Sequence, residues 1–112
     1  MKFHIDGFTE IAEKIRSTDV YNVHDFQFLN KHVVSMTELH PGKETSGHAH
    51  AKEEEVYIFL EGSGEMQLGE EKFAVHKGDV VLIHGGKFHK VFNPKSSQDL
   101  KFFCIFEKYE GR

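Results

Sequence analysis

Two histidines, His48 and His50, stand two residues apart within the stretch Gly42 to Gly62. Successive side chains on an extended strand alternate faces, so both imidazoles leave from one side and can reach a single ion. Three consecutive glutamates, Glu53, Glu54 and Glu55, follow within a few residues, and then the strand-like run Val56 to Leu60. A carboxylate oxygen beside two imidazole nitrogens suits a borderline divalent transition metal better than Mg or Ca, which prefer all-oxygen shells. The chain carries nine histidines in 112 residues, and five of them lie between positions 48 and 89. That clustering points to metal chemistry.

Strands are the elements best able to position such a pair. Phe3 to Ile5 reads as a short strand and Asp6-Gly7 as the turn out of it. Phe8, Ile11, Ala12 and Ile15 then fall at i, i+3, i+4 and i+7, which predicts one short amphipathic helix capped by Thr9, with Glu10 and Lys14 as an exposed pair. From Val20 onward the helical period gives way to short aromatic and β-branched runs. Strands are expected over Val20–Asp25, Lys31–Leu39, Gly47–His50, Val56–Glu61, Gly64–Leu68, Glu71–Val75, Val80–Ile83, His89–Asn93 and Leu100–Lys108. Turn residues separate them, among them Gly62-Ser63-Gly64, Lys77-Gly78-Asp79 and Gly85-Gly86, and the 64–75 segment reads as a hairpin. The spacing is that of a compact antiparallel sandwich or barrel, an all-β fold with one short N-terminal helix.

In the run from Glu55 to Glu61, alternation places Glu55, Tyr57 and Phe59 on one face and Val56, Ile58 and Leu60 on the other. Both faces are largely apolar. One is expected to line the barrel and the other to meet a second sheet or a second copy, so a homodimer is expected. Eighteen acidic against fourteen basic residues give a net charge of -4. Such a balance offers no footprint for nucleic acid. No apolar run of about 18 residues and no apolar signal region appear, so no membrane partner and a cytoplasmic location are expected. Cys104, the single cysteine, has no partner for an internal disulfide and reads as a small core residue.

The second informative stretch is Gly78 to Asn93: a turn, a buried strand, a glycine-rich turn and a strand that opens with His89. Taken with the first stretch, it resembles the cupin superfamily. The first cupin motif runs here through Gly42, His48, His50, Glu55 and Gly62, with every fixed position filled. The second runs through Gly78, Gly86, His89 and Asn93, with His84 standing where the family has Pro. The resemblance implies one cupin domain over residues 1–112, a jelly-roll or double-stranded β-helix barrel at 31–108 behind an N-terminal arm at 1–30. It also implies one metal held by His48, His50, Glu55 and His89. Glu55 is chosen over its neighbours because Glu54 would leave seven residues before Gly62, whereas Glu55 meets both motif spacings. Glu53 and Glu54 then read as solvated loop charges.

Four protein ligands on a six-coordinate ion leave room for two oxygen donors of a small-molecule substrate. The ion, which could be Mn, Fe, Co, Ni or Zn, would act as a Lewis acid toward enolate or enediolate charge. That chemistry fits isomerisation of a sugar or sugar phosphate. An Fe(II)-dependent dioxygenase and a non-catalytic metal-binding or small-molecule-binding module are the alternatives, since fold and ligands do not choose among them. His84 alternates with Val80 and Leu82, so it could point toward the barrel mouth; a rim residue hydrogen-bonded to a turn is the simpler reading, and it and Tyr57 are the candidates for proton transfer. Lys43, Lys87 and Lys90 could form a cationic rim, although for each a solvated loop is the simpler reading.

Overall fold

The N-terminus departs first from the expected order. Ile5–Gly7 forms a 3-10 turn and Phe8–Ile11 a one-turn helix, α1. Phe3 therefore lies outside any strand. At Ala12 the backbone becomes extended, and strand β1 (Glu13–Ser17) takes up Lys14 and Ile15, so the expected helix stops short. A helix this short is marginal alone. The ladder available to β1 beside the next strand wins the segment. Thr9 sits inside α1, whose N-cap position is Gly7, so it does not cap the helix; His4 accepts the Asp6 N–H at 3.1 Å instead. The computed structural model describes residues 1–49, 52–95 and 97–109.

The remaining strands follow the alternation closely. They are β2 (Tyr21–Phe26), β3 (His32–Leu39), β4 (Glu55–Glu61), β5 (Ser63–Leu68), β6 (Glu71–His76), β7 (Val80–Ile83), β8 (His89–Phe92) and β9 (Leu100–Glu107). Of the expected 47–50 strand, residues 47–49 form none; His48 makes only a single antiparallel bridge to His89. His50 lies outside the described residues. All pairings are antiparallel, in a six-stranded sheet ordered β1-β2-β3-β9-β4-β7 and a three-stranded sheet ordered β6-β5-β8. This is the jelly-roll arrangement.

The two sheets close on one apolar core. Leu39, Phe59 and Phe102 from the larger sheet meet Met66, Val75 and Val91 from the smaller. Burying each of these side chains contributes about 1.5–3 kcal/mol. Gly62, which joins β4 to β5, has φ +86°, and a Cβ there would stand 2.8 Å from the Asp99 carbonyl oxygen. Only glycine combines that backbone with so close an approach.

The outer face of the larger sheet is covered by the chain's own N-terminal arm. Phe8, fully buried, packs with Phe26 and Met36 and against Leu60, Val34 and Phe103. The expected second layer over part of β4 is thus supplied locally. Farther along, Val80 and Leu82 on edge strand β7 are 57% and 62% exposed, and they pair across the outer face with Ile58 and Val56.

Candidate metal centre

Glu55 opens β4 with its side chain on the inner face, opposite Phe106 of β9 and Ile83 of β7. Of the three consecutive glutamates it alone is buried; Glu54 is exposed and Glu53 intermediate. His89 opens β8. Its backbone exchanges hydrogen bonds with His48, at 3.1 Å from the His48 N–H and 3.0 Å to the His48 carbonyl. A loop residue is thereby fixed to a strand residue 41 positions later. The turn before His48 needs Gly47, with φ +79°, where a Cβ would fall 2.6 Å from the Phe88 ring.

His89 Nε2 stands 2.8 Å from Glu55 Oε2, and His48 Nε2 stands 3.9 Å from that same oxygen. The three donor atoms lie within 4.8 Å of one another, and the two imidazoles meet edge to face with centroids 4.3 Å apart. His89 and Glu55 are nearly sealed from solvent, whereas the His48 side chain is 45% exposed. Glu55 Oε2 is buried and accepts no well-aligned hydrogen bond among the described residues. A buried carboxylate oxygen without such a bond is costly unless a cation or donor satisfies it.

The tautomer of His89 follows from its other contact. Nδ1 lies 3.0 Å from the Lys87 carbonyl, which can only accept, so Nδ1 carries the proton and Nε2 is the ligating atom once deprotonated. Burial disfavours the imidazolium, but the short contact to Glu55 and the Lys87 carbonyl outweigh it. The pKa of His89 therefore stands above the ordinary 6.5. Two imidazole nitrogens and a carboxylate oxygen form a donor set that fits a divalent transition metal. Where His50 lies relative to them falls outside the described residues.

Two members of this cluster, His48 and Glu55, line a cavity of about 280 Å³, with His89 buried behind them. Tyr57 lines it too, buried, with its ring 5.6 Å from His89 and stacked on Phe102 at 5.4 Å. His84 does not. Because alternation runs with Val80 and Leu82, and those two face outward, His84 is carried away from the cavity; its side chain is 79% exposed and its Nδ1 lies 3.6 Å from Glu54. As a candidate for proton transfer it stands apart from the lining residues, and its exposure favours the simpler reading of a rim residue. Lys43 and Lys90 do not line the cavity either, being drawn toward Asp19 at 4.0 Å and Glu44 at 2.8 Å, and Lys87 packs beside Gly69.

Several lining residues escaped the sequence reading. Ser35 and Thr37 occupy inward positions of β3 between Val33 and Leu39, and Cys104 lies opposite Ser35 on β9. Small polar residues at inward parity in an apolar strand were a signal, but only the register says which parity is inward. Asn93, a motif position, has a structural part: its Nδ2 donates to the Leu39 and Gln98 carbonyls at 2.9 and 2.8 Å, tying the end of β8 to β3.

An antiparallel jelly roll with a His/Glu cluster that could hold a metal beside a cavity defines the class of small cupin-like β-barrels. Residues 35–106 match the family model of the cupin domain, and the chain belongs to that family. A 63-residue stretch, 56% of the chain, is 43% identical to an uncharacterized protein of Methanocaldococcus jannaschii and spans 50% of that protein. Among solved structures, an RmlC-like cupin from Shewanella frigidimarina superposes with a TM-score of 0.79 at 16% identity, covering 93% of this chain and 90% of that one. A predicted oxalate decarboxylase from Thermotoga maritima gives 0.73 at 22% identity, over 97% and 100%. A cupin-superfamily sugar phosphate isomerase from Silicibacter pomeroyi gives 0.73 at 18%, over 81% and 61%. At these identities the likeness shows the fold alone. No helix among the described residues is long and apolar enough to cross a membrane.

Proposed function

We propose that this cupin holds one divalent transition metal through His48, His50, Glu55 and His89 and acts on a small oxygen-rich metabolite, in the manner of a sugar or sugar-phosphate isomerase. The observation that carries the reading is the convergence of the His48, Glu55 and His89 donor atoms within 4.8 Å, two of them, His48 and Glu55, on the wall of a cavity. A metal bound there supplies Lewis-acid polarisation of a substrate oxygen. The protein's own residues do the rest. The Lys87 carbonyl fixes the His89 tautomer. Tyr57, buried against Phe102 and beside His89, offers its hydroxyl for proton transfer at the cavity wall. Phe102 and Phe106 form apolar surface that keeps bulk water from the reacting end.

The size supports a small substrate, since about 280 Å³ falls just below the roughly 300–1,000 Å³ of ligand pockets. A homodimer through the outer face belongs to the same reading, supported by exposed Val80 and Leu82 on an unpaired strand edge.

The test is elemental analysis of the purified protein followed by proton exchange from sugar phosphates into heavy water, read by NMR. Bound metal with exchange that Tyr57→Phe abolishes supports the isomerase. Oxygen uptake by an Fe-loaded sample selects the dioxygenase instead, and absence of metal sinks the proposal.

A further inference from the structure

We infer that Arg16 is the specificity residue of this cavity and that the substrate carries an oxyanion, a carboxylate or a phosphate, besides the oxygens that would meet the metal cluster. The inference rests on the metal-site reading above. The β1–β2 ladder shifts register between Lys14 and Arg16: Lys14 pairs with His24, Arg16 with Val23. Residues two apart on a regular strand share a face. Here they do not, because His24 belongs to the outer face and Val23 lines the cavity. An irregularity at Ile15 therefore sets Arg16 on the cavity side of the sheet, where it stands exposed at the lip of the cavity, and bulges that re-aim a side chain recur beside active sites.

The position has a chemical consequence. Among the described residues lining the cavity, Arg16 is the single Lys or Arg. Its guanidinium donates to the Tyr21 hydroxyl at 3.3 Å, and no carboxylate of a described residue lies within ion-pair reach of it. Tyr21, also on the cavity wall, holds the arm of the guanidinium without neutralising it. The same cavity thus has donors for a cation, His48 and Glu55, at one part of its wall and, at another, a planar cation that no carboxylate of the described residues neutralises. A guanidinium fork matches two oxygens of a carboxylate or phosphate. Hydroxyls of Thr37, Thr45 and Ser46 lie along the wall for a hydroxylated middle. A small metabolite with chelating oxygens at one end and an anion at the other satisfies both.

The experiment measures metal content first and then titrates Mn(II)-loaded protein calorimetrically with two probe pairs. Dihydroxyacetone phosphate against dihydroxyacetone reads a distal phosphate, and malate against lactate reads a distal carboxylate. Wild type should bind the anionic member of one pair at least about tenfold more tightly, the size of a charge-assisted hydrogen bond. The pair that shows it names the anion. Arg16→Gln should bind the same Mn(II) and erase the preference, and Arg16→Lys, which keeps charge without the fork, should retain part of it.

Metal bound normally with no preference in wild type, or with the preference intact in Arg16→Gln, overturns the assignment while leaving the metal reading standing. Loss of metal in Arg16→Gln also overturns it, since Arg16 would then support the ligands. A wild-type protein that binds no metal fails at the earlier step.

Discussion

Glu55 Oε2 and His89 Nε2 lie 2.8 Å apart, one at the start of β4 and one at the start of β8, both nearly closed to solvent. Without a metal, this contact is favourable when His89 is protonated. In the proposed metal-bound form both atoms would be ligands, and the proton would have to leave. The pair therefore couples ion, proton and fold.

Truncating the carboxylate tests the ligand assignment. Positioning partners of metal ligands alone change affinity by about 10- to 100-fold, so Glu55→Ala should weaken binding at least about a hundredfold. Titration against a competing chelator reads it. Unchanged affinity would remove Glu55 from the site.

The raised pKa of His89 sets opposite pH trends for the two forms. Its stabilisation of the metal-free protein is fully present below the ordinary 6.5 and is lost as pH rises through the higher folded-state value. Metal affinity should rise over the same interval, as the competing proton departs. Melting curves with and without Mn(II), taken from about pH 6 to about pH 8, should diverge. Parallel curves would contradict the coupling.

On the outer face, His24 Nε2 stands 2.6 Å from Glu38, with Lys101 a further partner at 3.7 Å. Burial raises the Glu38 carboxyl, but His24 and Lys101 outweigh it and its pKa is lowered from 4.5. That stabilisation is present above 4.5 and disappears as pH falls through the lower folded-state value. Glu38→Gln should cost about 1.5–3 kcal/mol in urea unfolding at neutral pH, and less in acid. An equal loss at both pH values would assign the effect to packing.

Asn93 separates motif from metal. Asn93→Ala leaves the Leu39 and Gln98 carbonyls without their donor and should cost about 2–4 kcal/mol. Metal bound per folded molecule should not change. A selective loss of metal would give Asn93 a part in the site that its contacts do not show.

Phe8 anchors the arm over the sheet. Phe8→Ala should cost about 3–5 kcal/mol by leaving a cavity against Phe26 and Phe103. A loss below about 1 kcal/mol would mean that the arm contributes little to the fold.

Much of the barrel was legible because alternation is local: Glu55, Tyr57 and Phe59 were assigned to one face of β4 from their spacing, and burial follows that parity. The N-terminal segment was misread because Phe8, Ile11, Ala12 and Ile15 satisfy a helical period over too few turns to hold a helix. There a ladder with β2, invisible in the segment itself, decided the outcome. His84 shows the same limit, since its parity with Val80 and Leu82 was clear but which side was inward was not.

The order of residues alone determined that His48 and a carboxylate are near neighbours, that strands dominate after Val20, and which side chains share a face. These depend on backbone geometry over a few residues. Only the tertiary structure decided that His89 bridges to His48, that Glu55 lies within reach of both, and that a register shift at Ile15 sets Arg16 at the lip of the cavity that His48 and Glu55 line. Those relations join positions far apart in the chain, and sheet closure around a shared core sets the distances between them.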